Sequence, residues 1–451
     1  MIYNKLICLF LYKFNYYLLM KNKKKIVYVG LSADILHEGH INILKTANKY
    51  GKVVVGLLTD KAIASYKNIP TLTYKQREVV LKNIKLVKKV IPQHTLDYRP
   101  NLKIIKPNFV VHGDDWKTGV QKKTRTQVIK TLKLWKGKLI EPKYTKNISS
   151  SSIKSELINK FTPTSRVSFL KRILENKKII RVLESHSPLS GLIVENMKIK
   201  KNKNIEQFDA MWSSSLTDSS IKGKPDNQAL DFSSRFNGLG DLLDVTTKPL
   251  IFDADNGGRL EHLPFTIRTL ERLGVSAVMI EDKVGLKKNS LFKDQSDAKQ
   301  DTINDFCKKI DLIKKTRSSK DFLIGARIES FILGKGLQDS LKRAKAYSEA
   351  GADLILIHSK EKTPKEIFSF SKIFKKTKWY KPLVSVPSTY SKTKESELIK
   401  NGFKIVIYAN HMLRAAYPAM QNVGLTILKN QRSFELEKKI SSVKEVINLI
   451  K

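Results

Sequence analysis

The sequence predicts an α/β protein in two parts: an open parallel-sheet unit over the first third, then a (β/α)8 barrel of the TIM type. Three observations predict this. Between residues 26 and 158, short apolar runs alternate with segments of helical spacing, as in a parallel sheet. From residue 179, eight short apolar runs recur, most of them separated by helical stretches. Several of those runs end in charged or hydroxyl side chains, and strand ends are where such a barrel keeps its chemistry. The 451 residues are also too many for one ordinary domain.

The elements follow in order. Residues 1–20 contain an apolar run, Ile7 to Tyr12, broken by Lys13 and Asn15. It is short for a membrane span and lacks a small-residue cleavage site, so a non-structural leader is expected there. The first domain spans 21–160. Its strands are expected at 26–30, 53–58 and 109–111, with a helix at 40–50. Ser149 to Ser152 carry N-cap chemistry and open a further helix. The break Thr162-Pro163-Thr164-Ser165, followed by helical spacing, marks a linker at 161–178. The barrel occupies 179–451, with strands expected at 191–195, 208–212, 249–253, 276–281, 322–327, 353–358, 382–386 and 404–408.

Bulk composition narrows the class. Hydrophobic residues make up 41% and charged residues 28%, a globular profile. The net charge of +42 raises the alternative of a nucleic-acid-binding protein. The lysines are spread along the whole chain, however, with no dense basic arm or aromatic-interleaved patch. That pattern reads as a solvated surface that attracts anionic substrates, with neither nucleic acid nor membrane as partner. The two cysteines, Cys8 and Cys307, make no disulfide framework and fit a reducing, cytoplasmic location.

The ends of the expected barrel strands carry Trp212 with Ser213 to Ser215, Asp253 and Asp255, Glu281-Asp282-Lys283, Arg327 with Glu329, and His358. Buried charge is costly unless paired or bound to metal, so this convergence points to a site. Asp253, Asp255 and Glu281 are hard oxygen donors without His or Cys, which suits Mg²⁺ or Mn²⁺. Arg327 and His358 suit a phosphoryl or carboxylate group.

On Trp212-Ser213-Ser214-Ser215-Leu216, Asp253-Ala254-Asp255, Glu281-Asp282-Lys283 with Lys287, Asn289 and Ser290, Ala326-Arg327-Ile328-Glu329, His358-Ser359-Lys360 and Asn410-His411, the chain resembles phosphoenolpyruvate mutase, of the isocitrate lyase superfamily. The resemblance implies interconversion of phosphoenolpyruvate and 3-phosphonopyruvate, the carbon–phosphorus bond-forming step of phosphonate biosynthesis. It implies Mg²⁺ on Asp253, Asp255 and Glu281. Trp212, Ser214, Ser215 and Leu216 match the substrate cradle, and Arg327 and His358 match the phosphoryl contacts. Asp226 aligns with an essential aspartate near the transferring group, and Lys287 and Asn289 with a gating loop. The family commonly has Gly where Ser215 stands, and Asn256-Gly257-Gly258 departs from its usual Thr-Gly-Tyr-Gly. No Cys occurs in 281–290, unlike the lyases, and Asn289 favours a mutase over a phosphonopyruvate hydrolase. The resemblance also implies a homo-oligomer, a tetramer with exchanged C-terminal helices.

In the first domain, His37-Glu38-Gly39-His40 follows the first strand and opens a helix, where a triphosphate is readily held. With Asp34, His112-Gly113-Asp114-Asp115-Trp116 and Ile148-Ser149-Ser150-Ser151, it resembles the cytidylyltransferase-like nucleotidyltransferases, with their Rossmann-like fold. The resemblance implies CTP as co-substrate. It assigns nucleotide contacts to Asp34, His37, His40, Lys67, Arg77, Asp114, Asp115, Trp116, Ser149 and Ser150. The acceptor would be a phosphate or phosphonate. Leu31 and Tyr144 depart from the family's Gly and Arg, so a degenerate domain that only binds nucleotide is the alternative.

Overall fold

Runs of Val, Ile and Leu start the first sheet in the computed structural model, which describes residues 25–66, 69–117, 122–143, 163–201, 204–285, 287–290, 295 and 298–449. The expected leader, Lys67, Ser149 and Ser150 lie outside the described residues. The rest falls into two compact units: one within Met1–Lys160 with Lys200–Glu206, the other within Phe161–Ile199 with Gln207–Lys451.

The first unit is an all-parallel, five-stranded sheet in the order β3-β2-β1-β4-β5. Its strands are β1 (Ile26–Leu31), β2 (Lys52–Leu58), β3 (Val87–Gln93), β4 (Phe109–Val111) and β5 (Lys138–Ile140). The two strands absent from the sequence expectation, β3 and β5, are the edges, and both mix lysine with half-exposed positions. Between β1 and β4 the strand order reverses, and open α/β sheets bind their ligands at the carboxyl ends beside such a point. The loops bearing His37 and His112 both leave from those two strands.

The second unit is a closed barrel of eight parallel strands, as expected. They are β6 (Ile180–Glu184), β9 (Ala210–Ser213), β10 (Leu250–Asp253), β11 (Ala277–Glu281), β14 (Leu323–Ile328), β15 (Leu354–Ile357), β16 (Leu383–Ser385) and β17 (Phe403–Tyr408). A short ribbon of β7 (Lys198–Lys201) and β8 (Asn204–Gln207) stands apart from it. Another, β12 (Lys283–Val284) against β13 (Lys299–Gln300), rises from the end of β11. Leu, Ile and Phe from strands and surrounding helices fill the core, among them Phe252, Ile280, Phe306 and Phe370, all fully buried. Each such side chain contributes about 1.5–3 kcal/mol.

Two expectations are corrected. Residues 191–195 are not a strand but part of helix Pro188–Asn196, and β6 is the first barrel strand. Ser187 caps that helix by accepting from Ser190 N, and Pro188 sits at its first turn. The segment expected as a linker carries the helix its spacing predicts, Pro163–Asn176, but is not a separate piece: the helix buries Val167, Leu170 and Ile173. Arg166 from its first turn donates to the Leu243 carbonyl at 2.9 Å, so the segment belongs to the second unit.

Candidate active site

Strand ends and the turns that follow them build the mouth of the barrel. β9 delivers Trp212 and, just beyond it, Ser214, Ser215 and Leu216 at the start of helix Ser215–Ile221. β10 ends on Asp253, and a turn closed by Gly257 N to Ala254 O (2.8 Å) brings Asp255 round to the same side. Asp255 sits in the left-handed region at φ +52°, which aspartate tolerates better than most residues. Gly257 and Gly258 follow at φ +83° and +72°, values that glycine adopts freely.

One cleft is lined by Trp212, Ser214, Ser215, Leu216, Asp226, Asp253, Lys287, Asn289, Arg327 and His358. Every catalytic and substrate-binding residue expected in the barrel is therefore brought to it. Lys287 enters from the segment beyond β12. Its ammonium donates to Asp226 Oδ1 at 2.8 Å and also to Asp255 and the Ser215 hydroxyl. Asn289 Nδ2 donates to the other Asp226 oxygen at 2.9 Å. Across the mouth, Arg327 NH2 lies 2.9 Å from His358 Nδ1 and 3.4 Å from Glu281. The indole N–H of Trp212 is buried and has no hydrogen-bond partner among the described residues.

Burial and charge oppose each other throughout. Burial alone would raise Asp253, but Lys287, Arg327 and Arg235 outweigh it and hold the carboxyl below its usual range. At Glu281 burial wins over Arg327 and Lys283 and pushes the carboxyl up to about 7. Burial opposes the charge of Lys287, yet Asp253, Asp255 and Asp226 together hold the ammonium well above its ordinary range. Burial keeps His358 below the ordinary histidine value, and the neighbouring Arg327 adds to that. At neutral pH the cleft thus combines fixed cations with a neutral imidazole.

Asp253 and Glu281 end adjacent strands and Asp255 lies in the turn after the first, with Glu281 N donating to the Asp255 carbonyl at 2.7 Å. Among the described residues, no three His, Cys, Asp or Glu side chains converge as a ready ligand set. Mg²⁺ commonly takes one or two carboxylates and keeps several waters, so this all-oxygen set fits it in kind.

The sequence reading missed several members. Arg235, with its side chain almost fully buried, donates to the Asp253 carbonyl (2.6 Å) and to Asp218 (2.9 Å). Asp282, fully buried, accepts from Tyr347 OH, Gln300 Nε2 and Glu329 N at 2.8–2.9 Å and so ties the β12–β13 ribbon to the barrel. Glu329, at 0% exposure, accepts from Arg327 and Ser290 and lies 3.1 Å from His358 Nδ1. Asp282 and Glu329 lay inside quoted motifs, but nothing in the motif reveals what they face.

In the first unit, His37 caps helix Glu38–Tyr50, its Nδ1 accepting from Gly39 N at 3.2 Å. The rings of His37 and His40 lie 4.0 Å apart at the helix start. Partial burial lowers the pKa of His37. Asp34 is buried and accepts from Leu72 N at 3.0 Å. Asp114 and Asp115 open a 3-10 turn after β4. Two expected nucleotide contacts are placed inside the protein instead. Arg77 is 1% exposed and donates to the Ser32, Leu58 and Leu72 carbonyls and to Asp60. Trp116 is 1% exposed, stacks on His112 at 3.8 Å and donates to Glu141 at 2.7 Å. Both have donors engaged inside the protein.

Comparison with known proteins agrees with both parts. Residues 170–428 match the family model described as phosphoenolpyruvate phosphomutase, and residues 28–156 the one described as cytidylyltransferase-like. A phosphoenolpyruvate phosphomutase of Tetrahymena pyriformis is 35% identical over 292 residues, covering 64% of this chain and 92% of that protein. A phosphonopyruvate hydrolase of Variovorax sp. (strain Pal2) is 33% identical over 284 residues, 62% of this chain and 93% of that protein. A solved phosphonopyruvate hydrolase in complex with oxalate and Mg²⁺ superposes with a TM-score of 0.56 at 31% identity, covering 64% of this chain and 95% of that one.

Proposed function

The chain belongs to the phosphoenolpyruvate phosphomutase family, and on that premise we propose that its barrel interconverts phosphoenolpyruvate and 3-phosphonopyruvate. One observation carries the choice of activity. Lys287 and Asn289 both reach Asp226 at the mouth, opposite the Arg327–His358 pair. Cations, an amide and a carboxylate then surround one small anionic group.

The reaction breaks the phosphorus–oxygen bond to the enol oxygen and forms a phosphorus–carbon bond to carbon three of the same molecule. No co-reactant is consumed. A loose phosphoryl transfer needs positioned positive charge more than covalent help. Arg327 and His358 would hold the phosphoryl oxygens through the transfer. Lys287 and Asn289 would follow its charge from the lid side, with Asp226 holding both in place. The backbone N–H groups of Ser215 and Leu216 and the Trp212 indole N–H offer donors to the pyruvyl carboxylate and enolate. Mg²⁺, when held by Asp253, Asp255 and Glu281, would stabilise the enolate charge. Residues 287–290 exclude water, whose attack would give hydrolysis.

The test is phosphonopyruvate with the full chain and Mg²⁺, followed by phosphorus NMR. Conversion to phosphoenolpyruvate is expected, because the carbon–phosphorus product is the uphill one. Free phosphate and pyruvate would overturn the reading in favour of a hydrolase, the activity of the Variovorax relative.

For the first unit, we propose transfer of CMP from CTP to a phosphonate or phosphate acceptor, with pyrophosphate leaving beside His37 and His40. Support comes from the family match and from the two histidines at the start of the helix that follows β1. Pyrophosphate release from CTP, screened over candidate acceptors, tests it; no release with any phosphonate sinks it. We also propose a homo-oligomer, a tetramer, acting in the cytoplasm. Helix His411–Asn430 leaves Tyr417, Met420, Leu425 and Leu428 each at least 60% exposed. A face of that kind is commonly covered by another chain. Among the described residues, no helix is long and apolar enough to cross a membrane.

A further inference from the structure

We propose that Glu329 is a positioning residue that joins the segment 287–290 to the two phosphoryl-binding side chains, through the hydroxyl of Ser290. The proposal deepens the mutase reading above and rests on it.

Glu329 follows β14 by one residue and is wholly buried. Its backbone N–H donates to Asp282 Oδ1 at 2.9 Å, which fixes it from behind. One carboxylate oxygen accepts from Arg327 Nε at 2.5 Å and lies 3.1 Å from His358 Nδ1. The other accepts from Ser290 Oγ at 2.6 Å. Burial would raise this carboxyl, but Arg327, His358 and Lys283 together outweigh it and hold it well below its usual range. Glu329 therefore orients both side chains that face the cleft, while not itself lining it.

Ser290 completes the joint. Its hydroxyl donates to Glu329 and accepts from Arg327 NH2 at 2.8 Å and from Lys283 Nζ at 2.9 Å. A hydroxyl offers one donor and two acceptor sites, and all three are engaged. Each bond has a charged partner, the stronger kind. Lys283 also donates to the Lys288 carbonyl at 2.7 Å, so it holds the segment on both sides of Asn289. Withdrawing 287–290 would break the three Ser290 bonds together and leave Arg327 and Glu329 short of a partner. Seating of the segment and alignment of Arg327 with His358 become one event. A plainer role, in which Glu329 only neutralises Arg327, is already open to Glu281 at 3.4 Å and would not need Ser290.

The experiment uses the full chain with Mg²⁺ and phosphonopyruvate, and four variants: Ser290→Ala, Ser290→Thr, Glu329→Gln and the double Ser290→Ala/Glu329→Gln. Losing a hydrogen bond to a charged group predicts a fall in kcat of about 10- to 100-fold for Ser290→Ala and for Glu329→Gln. Melting temperatures should stay near that of the parent for Ser290→Ala and Ser290→Thr, and fall for Glu329→Gln, which removes one partner of a buried ion pair. Ser290→Thr keeps the hydroxyl and should remain within about 3-fold of the parent rate. The double variant should be no more than about 3-fold worse than the poorer single one, because both break the same joint. Losses that simply multiply would overturn the proposal. A second readout needs no turnover. Amide exchange in peptides covering 283–290 of the substrate-free protein should quicken in Ser290→Ala and Glu329→Gln but not in Ser290→Thr. Unchanged exchange overturns the joint. If the parent neither isomerises nor hydrolyses phosphonopyruvate, the mutase reading falls, and the exchange result alone decides the joint.

Discussion

Replacing Lys287 by Met keeps the apolar stem and removes the ammonium, which tests the electrostatic logic of the cleft most directly. The Lys287 side chain is 7% exposed, and its partners Asp226 and Asp255 are 8% and 6% exposed. Removing one partner of a buried ion pair leaves uncompensated charge and costs about 3–5 kcal/mol. At about 2–4 °C per kcal/mol, taking the figure for domains near this unit's size, the second unit should melt about 6–20 °C lower in chelator. Mg²⁺ should narrow the gap, since a cation on the same carboxylates replaces the missing charge. At a free ion concentration 100-fold above Kd, binding adds about 2.7 kcal/mol. The variant should gain more from Mg²⁺ than the parent does, because no ammonium competes for its carboxylates. Calorimetry of both proteins in chelator and over a Mg²⁺ titration measures this. Equal melting in chelator would refute the reasoning, because the three aspartates would then not depend on Lys287. The kcat with phosphonopyruvate should fall at least about 100-fold, as expected when an electrostatic contact to a transferring group is lost.

Three further outcomes are expected. Lys248 is 8% exposed, and burial lowers its ammonium to about 8 from 10.5 in spite of Glu195 and Asp209. Between those values the unfolded chain holds a proton that the native one has lost, so stability should rise with pH across the window, by roughly 3 kcal/mol; denaturant titrations of Lys248→Met should show that rise gone. His40→Ala should abolish pyrophosphate release from CTP while leaving phosphonopyruvate conversion within about 2-fold, since His40 and the barrel cleft belong to separate units. Leu425→Glu with Leu428→Glu should yield a smaller species by light scattering, as two charges on an apolar contact face oppose association; an unchanged mass would remove that helix from the interface.

The barrel was legible because its strands are short, apolar and spaced by helices, and seven of the eight lay where the sequence placed them. The eighth failed for a local reason. Leu192-Ile193-Val194 is more purely apolar than Ile180-Arg181-Val182-Leu183, so hydrophobicity favoured the wrong run. The deciding signal was Ser187 before Pro188, a cap and a first-turn proline, which outweighs the β propensity of three residues. The edge strands β3 and β5 lacked such a signal. An edge strand needs only one buried face, and lysine within it is compatible with that.

The site divides along a different line. Residues that end strands and face the cleft were readable, because the strand's end fixes where the side chain goes. Arg77 and Trp116 were misplaced for the opposite reason. A cation and an indole inside a nucleotide-binding motif look like ligand contacts, yet their donors are already taken by protein carbonyls and by Asp60 and Glu141. Whether a donor is taken depends on what the fold brings against it from 17 to 45 residues away, as Asp60 and Ser32 are for Arg77. The same reasoning explains why Arg235 escaped notice and why Glu329 was read only as a strand-end charge. Neither faces the cleft, and each matters through the side chain or strand end that it holds. A buried carboxylate such as Glu329 is stable only with its donors in place. Its three partners come from positions 290, 327 and 358, separate in the chain and adjacent at the barrel mouth. Such a set is selected by what must be paired once burial has occurred, and only the folded chain determines that.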